Sequence, residues 1–397
     1  MRLWRRSSLT ARCALLVAHS WLVLPVSAQE RGPQPVSAAE LQAAIDRLGD
    51  LDYAVRMNAS RTVRRTPVDQ AVPALAGAVA EHADGYVRFR ALVLLTGFND
   101  PGTDAVMRRL IDDPNNRLRE VAYVWFEHHP APGMVPPLLQ ANEREQDDFL
   151  RPAIFRALAA HGSDPRVRDT LVPAVKRGQD FFRSAVIEAL GDHRAAYAVS
   201  EIIDVANLDG PLQDDAVMAL GRIGDRRALE TLANLQRSAP RENQPAIAAA
   251  ICLLGVNCAS HEAYLVDTLR FAAGSPGFQE LMRGAAAAAA GLASSGNAAV
   301  LQTLFDVGSA SGEPARAPLA LAVATVSLRN TPLALATLEE YADQDDVLRL
   351  LADGFDMLEE DFEEEQFFAT VRRRYWQAEE GSRTRELTER LIQRLEF

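Results

Sequence analysis

Residues 147–162 read DDFLRPAIFRALAAHG, and residues 179–194 read QDFFRSAVIEALGDHR. Asp148 aligns with Asp180, Phe149 with Phe181, and Arg151 with Arg183. Ala153, Leu158 and His161 align with Ala185, Leu190 and His193. One helix has been written twice, 32 residues apart. An apolar residue followed by Arg extends the pattern in both directions, with the Arg at 56, 88, 119, 151 and 183, at intervals of 32, 31, 32 and 32. The same slot then holds Gln213, Gln244, Arg283, Arg316 and Arg349. Ten marks at a nearly constant period are the signature of a repeat architecture.

Each unit reads as a helical hairpin. Apolar or small residues three and seven after the mark, such as Ala59 and Val63 or Ala216 and Leu220, share one helix face. Asp52, Asp84, Asp148, Asp180, Asp209 and Asp346 precede their marks by three or four residues and are expected to cap the helix start. Turn residues such as Asn99-Asp100-Pro101-Gly102 then end the helix, and a second helix follows. One hairpin cannot bury its apolar face alone, so neighbours must stack into a continuous core. The expected fold is an all-α, right-handed solenoid of about ten hairpins over residues 29–355, followed by an acidic, then Arg-rich helical cap at 356–397.

LQDDAVMALGRIGDRRALETL, residues 212–232, resembles a bacterial HEAT repeat of the short, phycobilisome-lyase-like kind. The resemblance extends over roughly residues 36–355 and is strongest from 51 to 235. It implies a superhelix that binds a partner protein along its concave face, lined by the second helix of each hairpin. It carries no catalytic residues. A second reading that it implies is a small-molecule, pigment or cofactor-handling protein.

The N-terminus has the form of an export signal. Arg2, Arg5, Arg6 and Arg12 precede or open an apolar run from Cys13 to Leu24, and Val26-Ser27-Ala28 is a small-residue cleavage site. Cleavage after residue 28 is expected to yield an exported, periplasmic or secreted chain with no later span. Its formal charge changes from −12 to −16, because four Arg are lost. Such a chain lacks the basic surface that nucleic-acid binding needs. Cys252 and Cys258 then remain, six residues apart around Gly255-Val256-Asn257. That spacing suits a helix-end staple in an oxidising compartment, or two buried thiols, rather than a redox pair.

His129, His161 and His193 each lie ten residues after a mark. Stacked helices are about 8–10 Å apart, so equivalent histidines cannot converge on one metal ion. The slot is read as a helix end, where His meets terminal carbonyls. No cofactor motif is present, and no metal or catalytic residue is assigned.

By helical phase, positions one, five, eight and nine after each mark are expected to be exposed. Arg61, Arg64, Arg65, Phe89, Glu127, His128 and Arg156 are therefore candidate partner contacts. Trp125 joins them because neighbouring repeats hold Thr or Ala in its slot; it either anchors a partner or fills a packing gap. Residues 339–365 hold 13 acids and one Arg, with Leu348, Leu351, Phe355, Leu358 and Phe362 three or four apart. This reads as one amphipathic helix whose acidic face is solvated or docks a basic partner. Arg372-Arg373-Arg374 could clasp it from within the chain.

Overall fold

The computed structural model describes residues 32–358 and 360–397. The expected signal segment, residues 1–28, lies outside the described residues. All secondary structure among the described residues is helical.

The capping box of Ser37 and Glu40 opens α1 (Ala38–Asp46). The repeat units follow as α2 (Tyr53–Arg64), α3 (Val68–Glu81), α4 (Gly85–Thr96), α5 (Thr103–Leu110), α6 (Asn116–His128) and α7 (Val135–Arg144). Next come α8 (Arg151–Ala159), α9 (Pro165–Ala174), α10 (Asp180–Asp192), α11 (Val199–Ala206), α12 (Gln213–Ile223) and α13 (Leu229–Ser238). The last repeats are α14 (Gln244–Leu253), α15 (Cys258–Ala273), α16 (Gln279–Ser294), α17 (Ala298–Ala310), α18 (Arg316–Arg329) and α19 (Thr331–Leu338). The chain then continues through α20 (Asp345–Phe355), α21 (Asp361–Gln377) and α22 (Arg383–Arg394). The ten marks fall on ten helices, the even-numbered ones from α2 to α20.

The mark has a structural task that the sequence pattern did not disclose. In most repeats its side chain reaches back and donates to a carbonyl at the end of the preceding helix or in the turn after it, whereas Arg283 and Arg349 pair with acids of their own helices. Arg56 Nη1 reaches Asp50 O at 2.7 Å, Arg88 Nε reaches Val79 O at 2.7 Å, and Arg151 Nη2 reaches Glu145 O at 3.0 Å. Arg183 Nε reaches Val175 O at 3.1 Å, Gln213 Nε2 reaches Ala206 O at 3.0 Å, and Gln244 Nε2 reaches Ala239 O at 2.9 Å. These carbonyls lack helical partners, so a long donor capping them closes each hairpin onto the next. Arg and Gln both supply N–H groups, which is why either can fill the slot. Arg183→Leu is therefore expected to cost about 1–2 kcal/mol in chemical denaturation, and Arg183→Gln less than half of that. Equal losses in the two variants would sink the capping role.

The expected N-caps need correction. Asp52 and Asp84 do cap α2 and α4, each accepting from two backbone N–H groups. In the fourth repeat, however, the cap is Asp147, four residues before the mark, as Asn115 is for α6. Asp148, Asp180 and Asp346 stand three before their marks, inside the first turn, and pair instead with Arg151, Arg183 and Arg349. Asp209 precedes α12, whose N-cap position is Leu212. Only the residue before the first turn has the extended backbone that points a carboxylate at those N–H groups.

The mark helices from α4 to α20 pack one against the next. Small residues allow the approach: a Cβ on Gly191 would lie 2.8 Å from the Ala219 Cα, and one on Gly221 would lie 2.6 Å from the Ala250 Cα. Contacts that skip a repeat join mark helices in the first and middle repeats, while in the last repeats α17 also reaches α20. His193, just past α10, lies 3.4 Å from Glu127 of α6, and a Cβ on Gly291 of α16 would lie 2.5 Å from the Met218 methyl of α12. The mark-bearing first helices thus line the concave face, not the second helices as expected. Crowding is tightest on the inside of a bend, and that is where the Gly and Ala residues are found.

Cys252 and Cys258 form a disulfide across the turn from α14 to α15. Gly255 and Asn257 there adopt positive φ angles of 72° and 47°. Among the described residues no single helix is long and apolar enough to cross a membrane.

Candidate interaction face

The buried apolar residues form two clusters, one drawn from residues 41–251 and the other from residues 249–397. One residue breaks the division: Phe362, near the start of α21, belongs to the N-terminal cluster. Its ring stacks on His128 with centroids 5.2 Å apart and meets the edge of Trp125 at 6.4 Å. The chain has curved until its C-terminal helix lies on its first repeats.

Charged contacts follow the same path. Glu365 of α21 accepts from Arg64 of α2 through three hydrogen bonds of 2.6–3.1 Å. The two side chains are only 1% and 3% exposed. Phe368 lies under the Arg64 guanidinium at 5.3 Å, and Arg64 Nη1 is buried without a hydrogen-bond partner. Asp361 pairs with Arg90 of α4. Glu363 approaches His128 at 3.7 Å and Arg329 of α18 at 3.6 Å. Arg61 donates to the Glu396 carbonyl at 3.1 Å, so the segment after α22 also reaches α2.

Of the candidate contact positions expected to be open to solvent, His128 is exposed, but Arg64 and Phe89 are buried and Arg61, Arg65, Glu127 and Arg156 are partly buried. Trp125, read as an anchor or a gap filler, is buried. Arg64, Trp125 and His128 form the seat of α21. Trp125 also stacks on His129, with centroids 3.7 Å apart. Phe89 is covered by Tyr86 and by the Arg117 guanidinium 5.3 Å away. Arg65 accepts from the Gln34 N–H through its backbone carbonyl. Glu127 lies between Arg156 at 3.3 Å and His193 at 3.4 Å, and the Arg156 contact is an ion pair without hydrogen-bond alignment. Burial pushes the Glu127 carboxyl up, but His193, Arg156 and His128 together hold it below the usual carboxylate range.

The histidine slot behaves as a helix end in two repeats. His129 Nδ1 contacts the Trp125 carbonyl at 3.0 Å, and His161 Nδ1 contacts the Ala157 carbonyl at 2.8 Å. Among the described residues no three His, Cys, Asp or Glu side chains are grouped to hold a metal ion.

The acidic run is not one helix. A short 3-10 turn at Glu339–Tyr341, the helix α20 and the start of α21 divide it. Leu348, Leu351 and Phe355 face the C-terminal core, while Phe362 faces the N-terminal one. The clasp comes mainly from α22 rather than from Arg373 and Arg374. Arg383 donates to the Glu339 and Glu340 carbonyls, and Arg390 and Arg394 pair with Asp345. Arg372 lies 4.0 Å from Glu365 on its own helix.

The start of α21 carries more carboxylate than its cations balance. Glu364 is pushed up to about 7, first by burial and then by Asp361. Glu120, on α6, and Glu360 are also raised, in each case chiefly by burial. Arg90 opposes the Glu364 shift, and Glu360 acts both ways: its charge raises the carboxyl and a hydrogen bond from its backbone lowers it. A carboxyl raised in the folded state binds more protons there than when unfolded. Glu364 thus makes stability fall as pH rises between about 4.5 and 7. Glu364→Gln is expected to flatten that part of a melting-temperature profile and to raise the melting temperature at pH 8. An unchanged slope would contradict the assignment.

This is an α-solenoid whose concave face holds a helix from its own C-terminal end. Residues 41–124 match the family model described as HEAT repeats. No curated protein sequence matches it. Solved structures of similar fold include YibA of E. coli, at 17% identity over 55% of this chain and 82% of that one, with a TM-score of 0.40. The CpcE–CpcF complex of phycocyanin lyase from Nostoc is similar at 17% identity over 83% and 97%, with a TM-score of 0.26. Importin beta is similar at 11% identity over 90% and 54%, with a TM-score of 0.36.

Proposed function

We propose that this chain is a non-enzymatic protein-binding scaffold of the cell envelope or extracellular space. The observation that carries the reading is the seating of α21. Side chains of three successive repeats, Arg64, Arg90 and Trp125 with His128, hold one helix through ion pairs and ring contacts. An inner face built this way recognises helices, and helix-in-groove docking is a recurrent mode of protein recognition. A preformed solenoid loses little ordering entropy on binding. The signal-like first 28 residues and the Cys252–Cys258 disulfide support a place outside the cytoplasm.

The test is in-cell crosslinking of the tagged chain, with mass spectrometry of what it captures and of its own N-terminus. The expected result is a chain beginning at Gln29 in the exported fraction, joined to one dominant protein. A chain that retains Met1, or that captures nothing above background, would overturn the location or the scaffold role respectively.

A further inference from the structure

We propose that the inner face of α2, α4 and α6 is a docking groove for an acidic, phenylalanine-bearing amphipathic helix of a partner protein, and that the first two turns of α21 are the chain's own occupant of that groove. The inference deepens the scaffold reading and rests on it.

The groove reads four side chains of α21. Asp361 meets Arg90, Phe362 meets Trp125 and His128, Glu365 meets Arg64, and Phe368 lies under the same arginine. Positions 361, 365 and 368 are four and then three apart, with 362 beside them, so one stripe of a helix carries the whole set. The recognition is charged and aromatic, which is unlike the aliphatic stacking between repeats. Phe367, Val371 and Tyr375, on the remainder of α21, are fully buried in the C-terminal cluster. The helix is therefore rooted in the last repeats, and Phe368, which also packs on Phe355 and Phe397, joins that root to the stripe that touches the first repeats. Opening this contact withdraws Phe362 from the N-terminal cluster and leaves Phe367, Val371 and Tyr375 in place.

Charge selects the occupant. The chain is strongly acidic overall, yet this groove presents Arg61, Arg64 and Arg90. Glu120 and Glu127 stand beside them, and Arg156 and His193 pair with Glu127. The native occupant is imperfect, because Asp361 crowds both Glu120 and Glu364, which Arg156 and Arg90 respectively offset only in part. A partner helix with an uncharged residue at the position of Glu364 fits the groove better. Tethering gives α21 an effective concentration of about the millimolar range, so an external helix competes when the occupant is weakened or the partner is better matched.

The probe is a fluorescein-labelled peptide with the sequence of residues 358–372, added to the full chain carrying Asp361→Asn and Phe362→Ala. Fluorescence anisotropy is expected to show binding, tighter still for the peptide with Glu364→Gln. Arg64→Ala in the chain, or Glu365→Lys in the peptide, is expected to weaken it by about thirtyfold or more. No binding to a chain that keeps its helical circular dichroism would overturn the groove, as would equal binding of a scrambled peptide. Doubling of the mass by light scattering without peptide would overturn it in favour of α21 exchanged between two copies. Should the variant fail to fold, the unaltered chain is used with about 1 mM peptide, and hydrogen exchange is read at residues 361–366. Faster exchange there supports displacement, and unchanged exchange overturns it. If this peptide fails while cellular crosslinks map to another surface, the groove falls and the scaffold reading stands.

Discussion

Glu365→Ala is expected to destabilise the chain by about 3–5 kcal/mol in chemical denaturation, because it leaves the Arg64 guanidinium charged and buried without its partner. The charge cannot be relieved by deprotonation, and Arg64 Nη1 already lacks a hydrogen bond in the native protein. The double replacement Arg64→Met with Glu365→Leu removes both charges and is expected to recover most of the loss. A single variant as stable as the parent would mean that the first repeats and α21 are not joined in solution. A double variant no better than the single would mean that packing, not charge, holds them.

Trp125→Ala is expected to cost about 3–5 kcal/mol, as for other buried large aromatics. It deletes the surface on which His129 stacks and against which Phe362 rests. The location of the effect is the sharper test. Solenoid repeats interact mainly with their neighbours, so hydrogen exchange should rise in α6 and at the start of α21 and stay unchanged in α12 and α14. Phe305→Ala removes a ring from the C-terminal cluster and is the control. It is expected to cost a similar amount without accelerating exchange in α2. If Trp125→Ala loosened only α6, Phe362 would not depend on it.

Much of the architecture was legible from period alone. Hairpins must bury one face on each neighbour, so the mark, the small residue and the apolar residue recur at helical spacing, and ten marks correspond to ten helices. The sequence placed both cysteines at one turn and left a staple or two buried thiols open; the structure has the staple. Trp125 stood out because its slot is small in other repeats, though the sequence left anchor and gap-filler equally open. In the structure it is the wall of a seat for Phe362.

Other features gave no local signal. Arg90 and Phe362 are 272 positions apart by number, yet both belong to the seat of α21. Phe362 continued the three-and-four spacing of α20, so sequence periodicity assigned it to that helix. It belongs instead to α21, which starts at Asp361 after α20 has ended at Phe355, and it faces the other way. Glu365 looked like one more carboxylate in an acidic run, and only its burial against Arg64 sets it apart. The sequence by itself determined the repeat, its hairpins and their stacking, because those depend on contacts between residues about 32 apart that recur. Tertiary structure alone decided that mark helices line the concave face and that α21 fills it. Curvature is the sum of many small helix-to-helix offsets set by Gly and Ala contacts. No single repeat records where that sum will bring the two ends of the chain.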